Sequence, residues 1–139
     1  MAFTETYLPY LLARASHSVS SSFHASLKGW DLSVPEWRML ACLVEADGLA
    51  VGELAEMVMM KQPSTTKVLD RMEADGLVRR RIAQEDRRRV LIHITQRGRA
   101  RVKPVLAAAR AHQRDRLAPF DDAERALILR ALALLIGED

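Results

Sequence analysis

One cysteine, Cys42, is all the chain has, and that excludes an internal disulfide framework. It lies in the apolar run MLACLV, where a thiol behaves as a small buried hydrophobe; the alternative is a redox switch. No apolar run is long enough to span a membrane, and no basic-then-apolar leader opens the chain, so a cytoplasmic location without a membrane partner is the expectation. The four histidines (His17, His24, His93 and His112) are scattered, and none stands at metal-ligand spacing from the cysteine. His17 and His24 share a helix face, but seven residues of helix hold them ~10.5 Å apart. There is no glycine-rich phosphate loop and no ordered Ser, His and Asp set. Neither a metal nor a cofactor is expected, nor is the chain expected to be an enzyme. Internal repeats and domain-separating linkers are also missing.

What remains is an ordinary globular composition, 49% hydrophobic and 28% charged, in 139 residues. That is most simply one domain with a real core. The formal net charge of +3 conceals an uneven distribution. Residues 61–103 carry 13 Lys and Arg against 5 Asp and Glu, a local balance of +8; the rest of the chain carries 8 against 13, or −5. Such a concentration is the footprint of a phosphate-binding surface, with a merely solvated basic face as the bland alternative.

The basic block coincides with a pattern running over residues 51–95. VGELAEMVM places Leu54, Ala55 and Val58 on one helical face. A turn over residues 59–62 follows, and a second helix begins at Pro63, which suits a first helical position. That helix, PSTTKVLDRMEAD, stops at Gly76. Its apolar side is Thr65, Val68, Leu69 and Met72; its other side shows Ser64, Thr66, Lys67, Asp70 and Arg71. Next, Val78 and Ile82 alternate with arginines, and Val90, Ile92 and Ile94 alternate with Arg89, Leu91 and His93, on either side of a polar tip. Period-two patterning around a polar tip predicts a hairpin. Parity turns Arg80 inward with Val78 and Ile82, as a structural ion pair. A helix-turn-helix followed by a basic hairpin describes a winged helix, whose second helix lies in the DNA major groove while the hairpin reaches an adjacent minor groove.

The flanks are helical. An apolar stripe of Leu8, Leu11, Leu12, Ala15, Val19, Phe23 and Leu27 predicts a helix over residues 7–28, ended by Gly29. Ser33 and Glu36 have capping-box spacing, with Pro35 in the first turn, and Trp37, Leu40, Ala41 and Val44 supply a core face closed by Asp47-Gly48. Residues 49–51 are a candidate third strand beside the wing. After the wing, Thr95 caps a long helix to about Leu117, with a kink or break expected at Pro104. Asp121 and Glu124 repeat the capping box ahead of a last helix whose Leu127, Ile128, Ala131, Leu132, Leu134 and Leu135 cover much of its circumference. Two such apolar ends predict a dimer interface.

The segments ELA, STTKVLDRMEADGLV and EDRRRVLIHITQRG resemble the MarR (multiple antibiotic resistance regulator) family of winged-helix transcription regulators. The resemblance covers nearly the whole chain. It implies a mainly α fold with a small β-hairpin wing: a DNA-binding lobe over about residues 30–95, with residues 1–29 and 96–139 as dimerisation helices. It implies a homodimer on a pseudo-palindromic operator in double-stranded DNA, usually repressing and released by a small, often aromatic, effector. Gln62, Pro63, Ser64 and Lys67 then become the positions that touch base edges, with Thr65 and Thr66 beside them and Arg71 on backbone phosphate. Ser64 is alternatively a cap and Thr65 a core-edge residue. Asp86 and Arg88 match the family's Asp-x-Arg wing tip: the carboxylate holds the guanidinium in one orientation, so less rotamer entropy is lost on binding. Arg88 enters the minor groove, Arg87 follows the phosphates, and Arg89 flanks them with Arg79 and Arg81. The effector pocket of such regulators lies between the dimer helices and the DNA-binding lobe, making Arg14, His17, Trp30 and Trp37 the candidates here. Relatives that sense oxidants carry their cysteine in the first helix, where this chain has none. Against the regulator stand a redox-sensing version acting through Cys42 and a winged helix that only binds proteins; the latter has no use for a basic tip.

Overall fold

The computed structural model describes residues 1–137. In chain order they form α1 (Phe3–Thr6), α2 (Leu8–Ser26), a 3-10 turn (Leu27–Trp30), α3 (Val34–Glu45), β1 (Leu49–Ala50), α4 (Val51–Met57), α5 (Gln62–Ala74), β2 (Val78–Ile82), β3 (Val90–Ile94), α6 (Gln96–Leu117) and α7 (Asp122–Ile136). Two compact units result, residues 1–107 and 108–139, with the division inside α6.

In the first unit the strands pair antiparallel in the order β1-β3-β2. Val78 faces Ile94, Arg80 faces Ile92 and Ile82 faces Val90, while Leu49 and Ala50 pair with Ile92 and Leu91. The candidate third strand is thus real, though only two residues long. One sheet face carries Val78, Ile92 and Ile94 into a core completed by Met39, Leu40 and Leu43 of α3, Leu54 of α4, Leu69 and Met72 of α5, and Val102 and Val105 of α6, all buried. In α4, α5 and the hairpin these are the inward positions that the periodicity marked; in α3 the fully buried residues are Met39, Leu40 and Leu43, whereas the expected face was Trp37, Leu40, Ala41 and Val44, so the helix is turned by about one residue from that reading.

The caps follow the local chemistry. The Glu36 N–H donates to Ser33 Oγ (3.2 Å) and the Ser33 N–H to Glu36 Oε1 (3.1 Å), closing the box that starts α3. In the second unit Asp121 and Glu124 close the same box on α7 at 2.8 and 3.1 Å. Each N-cap of this kind is worth ~1 kcal/mol. Gly76, just past α5, takes φ +77°, the left-handed region expected of it.

The structure departs from expectation at two helix boundaries and narrows a third reading. The first helix does not end at Gly29. Its last turn tightens into the 3-10 turn, with the Asp31 N–H donating to the Lys28 carbonyl (3.1 Å); the Leu32 N–H reaches back to the carbonyl of the buried Leu27 (3.3 Å), and the reversal falls on Asp31 at φ 54°. Aspartate tolerates that region better than most residues. Gln62 is the first residue of α5 and not part of the turn, so that helix starts one residue early. Of the kink or break expected at Pro104, the break is absent: α6 runs on through it.

One junction sets where the wing stands. Thr95 Oγ1 donates to the carbonyl of Gly76 (2.6 Å) and accepts from the Gly98 N–H (3.0 Å), while the Thr95 N–H donates to the Leu77 carbonyl (3.1 Å). The end of α5, the base of the hairpin and the first turn of α6 therefore meet at one hydroxyl. Residue 98 must be glycine here: a Cβ would lie 2.2 Å from the Leu77 carbonyl oxygen and 2.8 Å from Ile94 Cγ1.

Candidate nucleic-acid interface

The surface begins at the N-terminus of α5. Its N-cap, Lys61, is extended and supplies no side-chain cap. Such an end points backbone N–H groups outward and favours an anion such as phosphate. Lys61, Gln62, Pro63, Ser64, Lys67, Asp70 and Arg71 are exposed. Thr66 is half-buried and donates its hydroxyl to the Gln62 carbonyl (3.0 Å). Thr65 is fully buried and donates to the Lys61 carbonyl (3.0 Å), so it belongs to the core and leaves the set of candidate DNA contacts. Its place on the apolar stripe was the signal for that. Ser64 lies inside the first turn and does not cap the helix. The turn before α5 contains a feature no motif signalled: Met59, well exposed, sits in the left-handed region at φ 59°.

The wing tip folds as the spacing predicts. The Ala83 N–H donates to the Arg89 carbonyl (2.9 Å) and the Arg89 N–H to the Asp86 carbonyl (3.0 Å). Asp86 Oδ1 accepts from both the Arg88 backbone N–H (3.0 Å) and its Nε (3.2 Å). The Arg88 side chain is 93% exposed, so this pair contributes little to stability and serves orientation: the arginine stands in solvent, already aimed. Arg79, Arg81 and Arg87 are exposed around it. Arg89 is different. It forms an ion pair with Glu53 of α4, both side chains remaining about half exposed. Sequence spacing gave no sign of that partner, 36 residues away.

Arg80 is an internal ion pair, as its parity predicts, and a larger one than parity could show. Its Nη1 donates to Glu73 Oε1 (2.8 Å), its backbone N–H to Glu73 Oε2 (2.9 Å), and its Nη2 to Asp70 Oδ1 (2.7 Å). The backbone N–H and guanidinium of Arg80 hold the Glu73 carboxyl below the usual carboxylate range.

The four effector candidates fall in three local settings. Arg14 and His17 are exposed on α2, with the Arg14 guanidinium 5.9 Å from the Tyr10 ring centroid. Trp30 ends the 3-10 turn, and Trp37 packs edge-on against Phe23 at 5.4 Å. Cys42 is half-buried on α3; burial, and then the Glu45 carboxylate, push its thiol up, so it is a weak nucleophile at neutral pH.

Comparison with known proteins adds to this geometry. Residues 32–90 match the model of the MarR family. A MarR family transcriptional regulator from Silicibacter pomeroyi DSS-3, SPO1453, is 37% identical and superposes with a TM-score of 0.84, covering 99% of this chain and 100% of its own. The transcriptional repressor CouR, solved on a 23-mer DNA duplex, is 26% identical with a TM-score of 0.81 over 98% of this chain and 96% of its own. The homoprotocatechuate degradative operon repressor of Escherichia coli is 33% identical over 93 residues, 67% of this chain and 63% of the repressor. The chain spans from about half to just under two thirds of the length of several curated relatives it matches. No described helix is long and apolar enough to cross a membrane. A winged helix-turn-helix with an uncapped recognition helix and an arginine-tipped wing, matched end to end by a solved regulator, places this chain in the MarR family of transcriptional regulators.

Proposed function

We propose that this chain is a homodimeric, cytoplasmic repressor that binds a pseudo-palindromic operator and is released by a small, possibly aromatic, molecule. The observation that carries the DNA reading is the pairing of the uncapped end of α5, with Lys61, Gln62, Ser64 and Lys67 exposed, and a wing whose Arg88 is aimed by Asp86. Gln62, Pro63, Ser64 and Lys67 read base edges, Arg71 and Arg87 meet phosphates, and Arg88 enters the minor groove. CouR on its duplex and the E. coli operon repressor, relatives named as repressors, support the direction of regulation.

The dimer rests on apolar surface that the single chain leaves open at both ends. Leu8, Leu11 and Leu12 of α2 are exposed, as are Leu127, Leu129, Leu134, Leu135 and Ile136 of α7. Contiguous apolar surface of this kind on a helix needs a cover, and a second copy supplies it. Residues 1–29 and 96–139 are accordingly the dimerisation region, and residues 30–95 the DNA-binding lobe. For the effector, the support is family resemblance together with two aromatics, Trp30 and Trp37, at the start of the lobe; Arg14 and His17 would offer a charge and a hydrogen bond.

Selection of bound duplexes from random DNA tests the reading. It is expected to return an inverted repeat with half-sites about 10 base pairs apart. Titration against salt then sorts the contacts: Lys67→Ala or Gln62→Ala relaxes one operator position by ~1–3 kcal/mol, and Arg87→Ala lowers the salt slope by about one per half-site on any sequence. Sedimentation at micromolar concentration should give twice the chain mass. Failure to enrich any sequence, or a folded monomer, refutes the corresponding half.

A further inference from the structure

We propose that Arg80 is a positioning residue that clamps the wing to the recognition helix, making one rigid reading head of two elements; this rests on the DNA-binding function proposed above. The clamp spans two turns of α5. From one residue of β2, bonds run to Glu73 through both the backbone N–H (2.9 Å) and Nη1 (2.8 Å), and to Asp70 through Nη2 (2.7 Å), with the Thr66 carbonyl 3.5 Å from Nη2. Arg80 is only 25% exposed, so water competes for these bonds less than at the wing tip. The planar fork matters: an ammonium offers no second donor at that angle.

The opposite face of the hairpin is braced separately. Arg80 shares its face with Val78 and Ile92, while Arg89 has the parity of Leu91 and His93 and pairs with Glu53 of α4. The two strands are thus pinned from two sides to the two helices of the helix-turn-helix. A two-stranded ribbon is marginally stable by itself, and one free to swing would search many orientations before Arg88 met its groove. Held at a fixed angle, Arg88 arrives with the recognition helix at a high effective concentration.

The test uses the full chain and the duplex selected by the parent, in two lengths: the complete site, and a core trimmed of the outer flanks that the wings reach. The ratio of the two affinities is the flank gain, expected to be tenfold or more for the parent. Arg80→Met should keep core affinity within about threefold while the flank gain falls to threefold or less. Arg80→Lys should not restore it. If Arg80→Met does not fold, the double variant Asp70→Asn, Glu73→Gln removes the same clamp from the other side and should show the same selective loss. Glu53→Gln, which loosens only the outer brace, should reduce the flank gain by about two- to threefold. A flank gain retained within twofold in Arg80→Met overturns the proposal, as does an equal loss on both duplexes, the mark of a plain structural role. A parent with no flank gain overturns the wing's part in DNA reading and this proposal with it. A parent that binds no DNA refutes the proposed function itself.

Discussion

Replacing Gly98 by alanine adds one methyl group at the point where α6 meets the hairpin base. Two effects oppose each other. Alanine is the better helix former by ~1 kcal/mol, and Gly98 lies in the first turn of α6. Against this, the new Cβ would stand 2.2 Å from the Leu77 carbonyl oxygen and 2.8 Å from Ile94 Cγ1. The first neighbour is backbone and cannot rotate away, so helix and strand must part by roughly an ångström. Overpacking of that order costs ~1–3 kcal/mol. The Leu77 carbonyl also accepts the Thr95 N–H at 3.1 Å, and weakening that bond adds ~0.5–1.5 kcal/mol. The clash wins: Gly98→Ala should destabilise by ~2 kcal/mol, a fall in Tm of roughly 5–10 °C for a domain of this size. Gly29→Ala is the control, since nothing lies within 4 Å of its Cβ and its φ is ordinary; it should be neutral or slightly stabilising. Urea unfolding followed by circular dichroism, at one protein concentration, measures both. A Gly98→Ala protein as stable as the parent would refute the close approach described here.

Arg88→Ala should lose about tenfold in operator affinity, most where the flank is A·T-rich, and Asp86→Ala should reproduce part of that loss without removing a DNA contact; equal binding by both variants and parent in a salt-series titration would make the tip a solvated hairpin. Glu73 carries a depressed pKa in the folded chain, so its stabilising contribution is complete above the unfolded value of ~4.3 and disappears as pH falls through the folded one. Glu73→Gln should therefore flatten the drop in stability between about pH 5 and pH 3, measured by urea midpoints. Cys42 should react slowly with iodoacetamide at pH 8, and Cys42→Ser should leave DNA binding as indifferent to peroxide as the parent; a parent that releases DNA on peroxide treatment, with Cys42→Ser resistant, would favour the redox reading.

The parts legible in the sequence were those encoded by spacing. Stripes at three and four residues, the period-two hairpin, the Ser33 and Asp121 boxes and the Asp86–Arg88 contact all depend on neighbours a few positions apart. Arg80 was legible to the extent that parity turned it inward, but its two carboxylates sit on another element, seven and ten residues back. The Arg89–Glu53 pair was not legible, because it depends on how the wing folds back over α4. Thr65 was ambiguous by type, and only packing decided it: a hydroxyl that bonds its own helix can be buried as readily as a valine. At Pro104 the residue type left a kink or a break open; α6 shows no break there, with Val102 and Val105 fully buried on either side.

The internal pairs also change what the basic block means for ions in solution. Of the 13 cations in residues 61–103, Arg80 already faces two carboxylates, Arg89 faces Glu53, and Arg99 lies 3.7 Å from Asp47. A cation held at the side of the sheet by carboxylates of its own chain, unlike Arg88 at the wing tip, is partly neutralised before DNA arrives and displaces fewer counterions. Each therefore subtracts up to ~0.9 from the salt exponent that a simple count of lysines and arginines would give. A regulator so arranged is less basic to a nucleic acid than to a sequence reader. Its hold on random DNA is weaker than its thirteen cations imply, which leaves more of its discrimination to the exposed residues at the start of α5.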